Sequence, residues 1–171
     1  MTTRLYLCIS ADGLIATSNR VADEASEWSA SAFAGWCGYC TASNNLIVGR
    51  KTYAELTEMD VADMLYPEHK VVVSSRDLQL ADQWVQCSTP GQAVAYLESR
   101  NLADIIVGGG HELAVACMTE GLIEEIVLDL QPILFGNGTP LLGEFERSIE
   151  LDLIDSESLE HGAIRLHYRI R

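Results

Sequence analysis

Short runs of aliphatic and β-branched residues alternate along this chain with segments of helical periodicity. Residues 5–10, 46–48 and 104–107 are such runs, and each one leads into a turn or a helical pattern. Strands that alternate with helices favour a largely parallel sheet that helices cover on its faces. This alternation is the strongest constraint on the fold, and it predicts an α/β protein.

Further strands are predicted at residues 70–75, 84–87 and 124–130. Helices are predicted at residues 26–42, around Tyr53 and Leu56, from Pro90 onward and at residues 112–120. Residues 148–155 and 163–170 alternate polar and apolar side chains, which predicts an antiparallel hairpin. No repeat, linker or low-complexity tract divides the chain, so we expect residues 1–171 to form a single domain.

The charge and the cysteine content argue against several classes of partner. A formal net charge of −14 repels nucleic acid and anionic membrane surfaces. No apolar run approaches the roughly 20 residues of a membrane-spanning helix, and the first residues are too short a segment for a signal peptide. Five cysteines without a secretory context or a metal-site spacing indicate reduced thiols. We therefore expect a cytoplasmic protein that binds no nucleic acid, membrane or metal ion.

The stretch GWCGYC at residues 35–40 has the W-C-x-x-C spacing of a dithiol redox site. Such a site needs its first cysteine at a helix N-terminus, where the helix dipole lowers the thiol pKa. The residues before Cys37 have a helical pattern, so Cys37 and Cys40 are predicted to lie within a helix as small core residues. A thiol–disulfide redox protein is therefore an alternative from another class, not the leading interpretation.

Three predicted strands end in residues that suit phosphate binding. These endings are GRKT at 49–52, SSR at 74–76 and GGGH at 108–111. Glycine allows a close backbone approach, helix N-termini offer free N–H groups, and hydroxyl and cationic side chains bind phosphate oxygens. The candidate cofactor-binding residues are Gly49, Arg50, Lys51, Thr52, Ser74, Ser75, Arg76, Gly108, Gly109, Gly110 and His111.

The carboxyl ends of parallel strands meet at one edge of an α/β sheet, where ligands bind. Arg50, Lys51 and Arg76 are three of only eleven lysines and arginines, and all three are predicted to lie at that edge. The sequence therefore predicts a site for a multiply phosphorylated nucleotide, although tight turns and surface cations would give the same pattern. It contains neither G-x-G-x-x-G nor G-x-x-x-x-G-K-[ST], which argues against a simple NAD-binding fold and against a kinase.

Over nearly its whole length the sequence resembles the dihydrofolate-reductase-like superfamily. It is most similar to the reductase domain of the bifunctional riboflavin-biosynthesis deaminase/reductase and its stand-alone relatives. The matching segments are SADGLIA (10–16), SEW (26–28), LIVGRKTYAEL (46–56), VVVSSR (71–76), IIVGGGHEL (105–113) and LIEEIVLDLQPILFGNGTPLL (122–142). The resemblance implies an NADPH-dependent reductase that transfers hydride to a pyrimidine- or pterin-like heterocycle, and a homodimer.

The resemblance also implies roles for individual residues. Arg50, Lys51 and Thr52 would hold the cofactor diphosphate and part of the 2′-phosphate, and Ser75 and Arg76 would complete the 2′-phosphate site. Gly109, Gly110 and His111 would cover the diphosphate or the nicotinamide ribose. The substrate side would be lined by Ser10, Asp12, Gly13, Ser26, Trp28 and Phe33. Asp12 and Glu27 are the carboxylates that could supply or relay a proton.

Two departures from the family pattern bear on the substrate. Phe33 stands at the place of the dihydrofolate reductase carboxylate, and Gly108 stands where the riboflavin reductase has a substrate-binding glutamate. A zinc-binding deaminase domain is absent from the sequence. A reductase similar to 5-amino-6-(5-phosphoribosylamino)uracil reductase, a true dihydrofolate reductase and a non-catalytic nucleotide-binding protein remain alternatives.

Overall fold

The computed structural model describes residues 1–17, 27–58, 67–143, 145 and 148–171, with the side chains of 16–17 and 27–31 outside this description. Its strands are β1 (Thr2–Ser10), β2 (Leu14–Thr17), β3 (Asn45–Gly49), β4 (His69–Val73), β5 (Trp84–Cys87), β6 (Asp104–Val107), β7 (Glu125–Gln131), β8 (Gly138–Pro140), β9 (Leu151–Ser158) and β10 (Ile164–Ile170). Its helices are α1 (Glu27–Ser43), α2 (Arg50–Glu58), α3 (Pro90–Glu98) and α4 (His111–Thr119). Among the described residues, no helix has the length and apolar character needed to span a membrane.

An eight-stranded sheet in the order β5-β4-β3-β6-β1-β7-β10-β9 forms the centre of the fold. Six neighbouring strands, β5, β4, β3, β6, β1 and β7, run parallel to one another. β10 is antiparallel to both β7 and β9. The predicted α/β fold, with a mostly parallel sheet and a C-terminal antiparallel hairpin, is confirmed.

The small antiparallel pair of β2 and β8 was not predicted from the sequence. Neither segment has the sequence pattern of a strand. β2 is only four residues long, and β8 consists of Gly138, Thr139 and Pro140. Pro140 has no backbone N–H to donate, and glycine is unfavourable in a strand interior. Their pairing depends on a contact between segments more than 100 residues apart, which local patterns do not reveal.

Two apolar cores lie on the two faces of the sheet. The core under α3 and α4 includes Leu5, Leu97, Ile105, Leu113 and Ile126. The core under α1 and α2 includes Tyr6, Trp36, Val48, Tyr53 and Ile106. Adjacent residues of one strand, such as Leu5 and Tyr6, belong to opposite cores because side chains alternate across a strand.

Gly35, one of the two glycines within α1, lies over a buried polar cluster. Tyr6 donates its hydroxyl hydrogen to Asp129, and Arg165 binds both oxygens of that carboxylate at 2.7 and 2.8 Å. A Cβ atom on Gly35 would lie 3.5 Å from Asp129 Oδ2, which is already van der Waals contact. Gly35 therefore brings the α1 backbone next to the cluster, and the hydrogen bonds of the cluster satisfy the buried carboxylate.

Asn45 joins β3 to β6, two strands that pair over a short stretch with Ile47 opposite Val107. The Asn45 side chain is fully buried. Its amide group donates to the carbonyl oxygen of Asp104 at 2.7 Å, and its carbonyl oxygen accepts from the N–H of Ile106 at 2.8 Å. The side chain thus supplies hydrogen bonds that the strand ladder lacks.

We predict that Asn45→Ala lowers the free energy of unfolding by about 1–3 kcal/mol, because it leaves buried backbone groups of β6 without partners. Urea denaturation followed by circular dichroism measures the change. Asn137→Ala removes an exposed asparagine and serves as the control. Equal stability of the two variants would contradict this role of Asn45.

Candidate functional site

A cleft runs along the carboxyl edge of the parallel strands, and we call it the edge cleft. Its inner half has a volume of about 370 Å³ and is lined by Cys8, Ile15, Thr52, Gly108, His111 and Thr139. Its outer half has a volume of about 310 Å³ and is lined by Arg50, Ser74, Ser75, Arg76, Ser88 and Pro90. Both halves include Gly49 and Glu112, so the two halves adjoin.

Three helices begin at the edge cleft. Arg50 is the first residue of α2, Pro90 the first of α3, and Gly110 is the N-cap of α4. The first N–H groups of a helix lack partners within the helix and carry partial positive charge. This end of the sheet therefore offers an electropositive backbone surface in a protein of strong net negative charge.

The two glycine segments meet at the floor of the cleft. The N–H of Gly49 donates to the carbonyl oxygen of Gly109 at 2.8 Å. A Cβ atom on Gly110 would lie only 3.0 Å from Thr52 Oγ1, so glycine permits this approach. Both segments were predicted to lie at one edge of the sheet, and in the structure they are in contact.

Trp36 fixes the position of Gly108, a role that the sequence analysis missed. Its indole Nε1 donates to the carbonyl oxygen of Gly108 at 3.1 Å. A Cβ atom on Gly108 would lie 2.5 Å from Leu46 Cδ1 and 3.0 Å from the Trp36 ring. A larger residue there would force the Leu46 side chain or the indole ring to move. The bond joins residues 72 positions apart, so no local signal announces it.

The loop after β4 presents Ser75 and Arg76 to the outer half of the cleft. Ser74 is buried, and its hydroxyl group donates to the carbonyl oxygen of Arg76 at 2.8 Å and accepts from the N–H of Arg76 at 3.1 Å. The Gln86 amide group donates to the carbonyl oxygens of Ser74 and Arg76 at 3.2 and 2.9 Å. Ser74 and Gln86 therefore shape the loop, and Ser75 and Arg76 are exposed for contact.

Lys51 lies at the junction of the two halves, but it already has an anionic partner. Its Nζ atom is 2.6 Å from Glu112 Oε1. The hydrogen bond from Lys51 and the positive charges nearby lower the pKa of Glu112. The sequence analysis grouped Lys51 with the phosphate-binding residues and did not include Glu112.

His111 connects the start of α4 to the loop after β8. Its Nδ1 atom is 3.0 Å from the carbonyl oxygen of Pro140. Gly143 has a φ of 52°, and a Cβ atom there would lie 2.6 Å from His111 Cε1. The histidine ring lines the inner half and packs against this loop, so its position is compatible with the predicted role beside a ribose or a diphosphate.

The predicted substrate-side residues are Ser10, at the end of β1, and Asp12 and Gly13, in the turn that follows. Hydrogen bonds hold this turn in place. The buried Ser10 hydroxyl donates to Asp12 Oδ1 at 2.6 Å. The Asp12 carboxylate also accepts from the N–H groups of Phe135 and Gly136 at 3.1 and 2.7 Å. These bonds lower the pKa of Asp12 to about 2, the Ser10 hydroxyl contributing most. Asp12 is an ionised acceptor that ties two loops together, which makes it a poor proton donor.

We predict that Ser10→Ala raises the pKa of Asp12 from about 2 toward 3.8, because it removes the main hydrogen bond to the carboxylate. The folded-state pKa lies below the ordinary value, so the ionised carboxylate stabilises the fold above about pH 4. That stabilisation is lost as the pH falls toward 2. A carboxyl-carbon NMR titration measures the midpoint, with Ser88→Ala as the control. An unchanged midpoint in Ser10→Ala would refute the assignment.

The structure describes the remaining predicted substrate-side and catalytic residues only in part. Phe33 stacks on Trp36 with a ring-centroid distance of 5.9 Å and packs against the core under α1. Glu27 and Trp28 lie in the first turn of α1, and their side chains are outside the described part of the chain. Ser26 also lies outside the described residues. The predictions for these three residues therefore stay predictions.

The cysteines do not have the properties of a redox dithiol. Helix α1 begins at Glu27, ten residues before Cys37, so neither Cys37 nor Cys40 lies at a helix N-terminus. Burial raises the pKa of both thiols, whereas a redox site needs a lowered value. Burial also raises the pKa of Cys8 to about 12. Within the described ranges, no cluster of histidine, cysteine and carboxylate side chains could hold a metal ion.

Comparison with known proteins assigns the chain to a family. A family model described as the RibD C-terminal domain matches residues 2–164. The chain belongs to the RibD C-terminal domain family. Membership in this family supports a reductase-like function related to riboflavin biosynthesis.

Two proteins of Bacillus subtilis (strain 168), both described as uncharacterized, are similar in sequence to this RibD C-terminal domain. YwjB is 26% identical over 168 residues, which cover 97% of this chain and 96% of YwjB. YyaP is 23% identical over 113 residues, which cover 66% of this chain and 60% of YyaP.

Solved structures confirm the RibD-like fold. A putative riboflavin biosynthesis protein from Shewanella sp. PV-4 has a TM-score of 0.74 and 22% identity, with 100% of this chain and 99% of that chain covered. RibD of Acinetobacter baumannii has a TM-score of 0.70 and 16% identity, with 99% of this chain and 58% of RibD covered. A pyrimidine reductase-like protein from Corynebacterium diphtheriae has a TM-score of 0.62 and 15% identity, with 99% and 92% covered.

Proposed function

We propose that residues 1–171 form one reductase domain that uses NADPH to reduce a pyrimidine- or pterin-like heterocycle. A substrate similar to 5-amino-6-(5-phosphoribosylamino)uracil is the first candidate, because the family is that of RibD. One observation carries the proposal. The three phosphate-binding segments predicted from the sequence all line the edge cleft, beside the first turns of three helices.

The chemistry of the edge cleft suits a phosphorylated dinucleotide. The outer half combines the guanidinium groups of Arg50 and Arg76 with the Ser75 hydroxyl group, a donor set that matches a phosphate monoester. At the junction, Gly49 has no side chain to cover the backbone, and the place where its Cβ atom would stand is 3.7 Å from the N–H nitrogen of Gly110. This arrangement fits a diphosphate next to a 2′-phosphate.

The proposed roles follow from these positions. Ser75 and Arg76 hold the 2′-phosphate, and Arg50, Lys51 and Thr52 hold the diphosphate. The glycines at 108–110 shape the floor beneath the cofactor, with His111 at its side. When bound, NADPH supplies the hydride, and the protein positions the acceptor and excludes water around it.

The inner half is the proposed place of the heterocycle. Leu7, Cys8 and Ile15 give it an apolar wall, and Thr139 adds a hydroxyl group. An apolar wall with a few polar groups is typical of a site that orients a flat ring. Glu27 remains the proposed proton source among the residues named from the sequence, since Asp12 is committed to its loop contacts.

The alternatives find less support. Phe33 is apolar at the place where dihydrofolate reductase needs a carboxylate, which disfavours folate reduction. The raised thiol pKa values of Cys37 and Cys40 disfavour a dithiol redox protein. The turnover assay below distinguishes a reductase from a nucleotide-binding protein without catalysis.

We predict that Arg76→Ala weakens NADPH binding by about ten-fold or more and leaves NADH binding nearly unchanged, because only NADPH carries the 2′-phosphate. Fluorescence titration of both cofactors measures the two dissociation constants. Arg100→Ala is the control, since Arg100 contacts Tyr96 on α3, away from the cleft. Equal affinity of the wild type for the two cofactors would contradict the assignment of Ser75 and Arg76.

Turnover is tested by NADPH oxidation at 340 nm in the presence of 5-amino-6-(5-phosphoribosylamino)uracil, with dihydrofolate as the comparison. We expect oxidation with the pyrimidine and none with dihydrofolate. Tight NADPH binding without oxidation in a wider set of pyrimidines and pterins would favour a binding protein. Oxidation with dihydrofolate alone would reverse the choice of substrate.

We also propose a cytoplasmic homodimer. The five cysteines are free, as expected in a reducing compartment.

The surface proposed for the dimer is apolar. On the C-terminal hairpin, Leu153 is 57% exposed and Ile164 is 41% exposed. Leu153 lies opposite Tyr168, which lies opposite Ile126 of the core under α3 and α4, so this apolar face continues that core. Sedimentation velocity should give twice the 18.8 kDa chain mass, and a monomer would refute the dimer.

A further inference from the structure

The ion pair between Lys51 and Glu112 occupies the junction of the edge cleft. Glu112 lines both halves, and Lys51 lines the inner half beside it. Their charged atoms are 2.6 Å apart, and the two side chains are 62% and 74% exposed. The pair is therefore accessible to a ligand that enters either half.

Glu112 lies where positive potential would also favour an incoming phosphate group. It is in the first turn of α4, whose free N–H groups favour negative charge. Arg50 and His111 also contribute positive potential at this carboxylate, after the larger contribution of Lys51. A ligand phosphate and Glu112 would thus share the same source of stabilisation, and two anions close together repel each other.

Glu112 has a different position from Glu55, a second carboxylate among the described residues that line the cleft. Glu55 on α2 lines only the inner half, whereas Glu112 lies between the halves, next to the proposed path of the diphosphate. The sequence gives no sign of this arrangement, because Lys51 and Glu112 are 61 positions apart.

We propose that Glu112 is an affinity-determining residue that competes with the phosphates of the bound nucleotide for Lys51. The inference rests on the proposed function, since it takes NADPH as the ligand. Binding requires Lys51 to exchange the Glu112 carboxylate for a phosphate oxygen. The exchange lowers the affinity of the cleft for NADPH, and it does so through Lys51.

The test is a double-mutant cycle of Glu112→Gln and Lys51→Ala, with NADPH titrated by fluorescence into all four proteins at fixed salt. We expect Glu112→Gln to tighten binding by about five-fold, the factor for one charge pair at about 4 Å in water. Lys51→Ala should weaken binding by a similar factor. In the Lys51→Ala background, Glu112→Gln should change the affinity by less than about two-fold, because the side chain for which Glu112 competes is gone.

Glu98→Gln is the matched control, because it removes one exposed carboxylate at the C-terminal end of α3, away from the edge cleft, and should leave the affinity unchanged. Circular dichroism confirms that each variant is folded, which is expected for exposed positions.

Three outcomes would overturn the inference. Equal affinity of Glu112→Gln and wild type would show that Glu112 does not limit binding. The same tightening with and without Lys51 would show simple charge repulsion without competition. Both results leave the proposed function standing. Absence of NADPH binding to the wild type and to every variant would instead refute the proposed function, and this inference with it.

Discussion

Six neighbouring strands of the central sheet run in one direction, so their carboxyl ends meet at one edge. The helices that follow β3 and β6 then begin at that edge, as does α3 after β5. Each helix start adds unpaired N–H groups and partial positive charge. The position of the edge cleft and its electropositive backbone both follow from this parallel arrangement.

The sequence was sufficient to predict the elements that local chemistry defines. The helix from Pro90 onward was predicted, and the structure confirms it, with Thr89 as its N-cap. The strands at residues 84–87 and 104–107 have the predicted bounds. These features depend on side chains within a few positions of each other, which a single sequence displays directly.

Contacts between distant residues could not be predicted. The bonds from Trp36 to Gly108, from Gln86 to the loop after β4 and from Lys51 to Glu112 depend on how strands are ordered and how helices cover them. The grouping of the candidate residues at one edge followed from the parallel-sheet rule alone. Only the structure shows which of these candidate residues are exposed for contact and which ones shape loops.

The GWCGYC stretch shows how a motif depends on its surroundings. Its spacing is that of a dithiol site, but the helix starts too early for its dipole to act on Cys37. Trp36 is instead a structural donor to the cleft floor, and Gly35 lies beside Asp129. Residues that resemble a redox motif therefore support the edge cleft and the fold around it.

The outermost strand of the sheet has a further consequence for assembly. β9 exposes Asp152, Asp155 and Glu157 along its length. Acidic side chains on a free strand edge discourage the backbone pairing by which sheets extend into fibrils. Two such edges laid side by side would also bring carboxylates together, so sheet-to-sheet contact through the apolar surface is the less repulsive route for self-association. The acidic side chains of β9 thus disfavour open-ended polymerisation through this edge of the sheet.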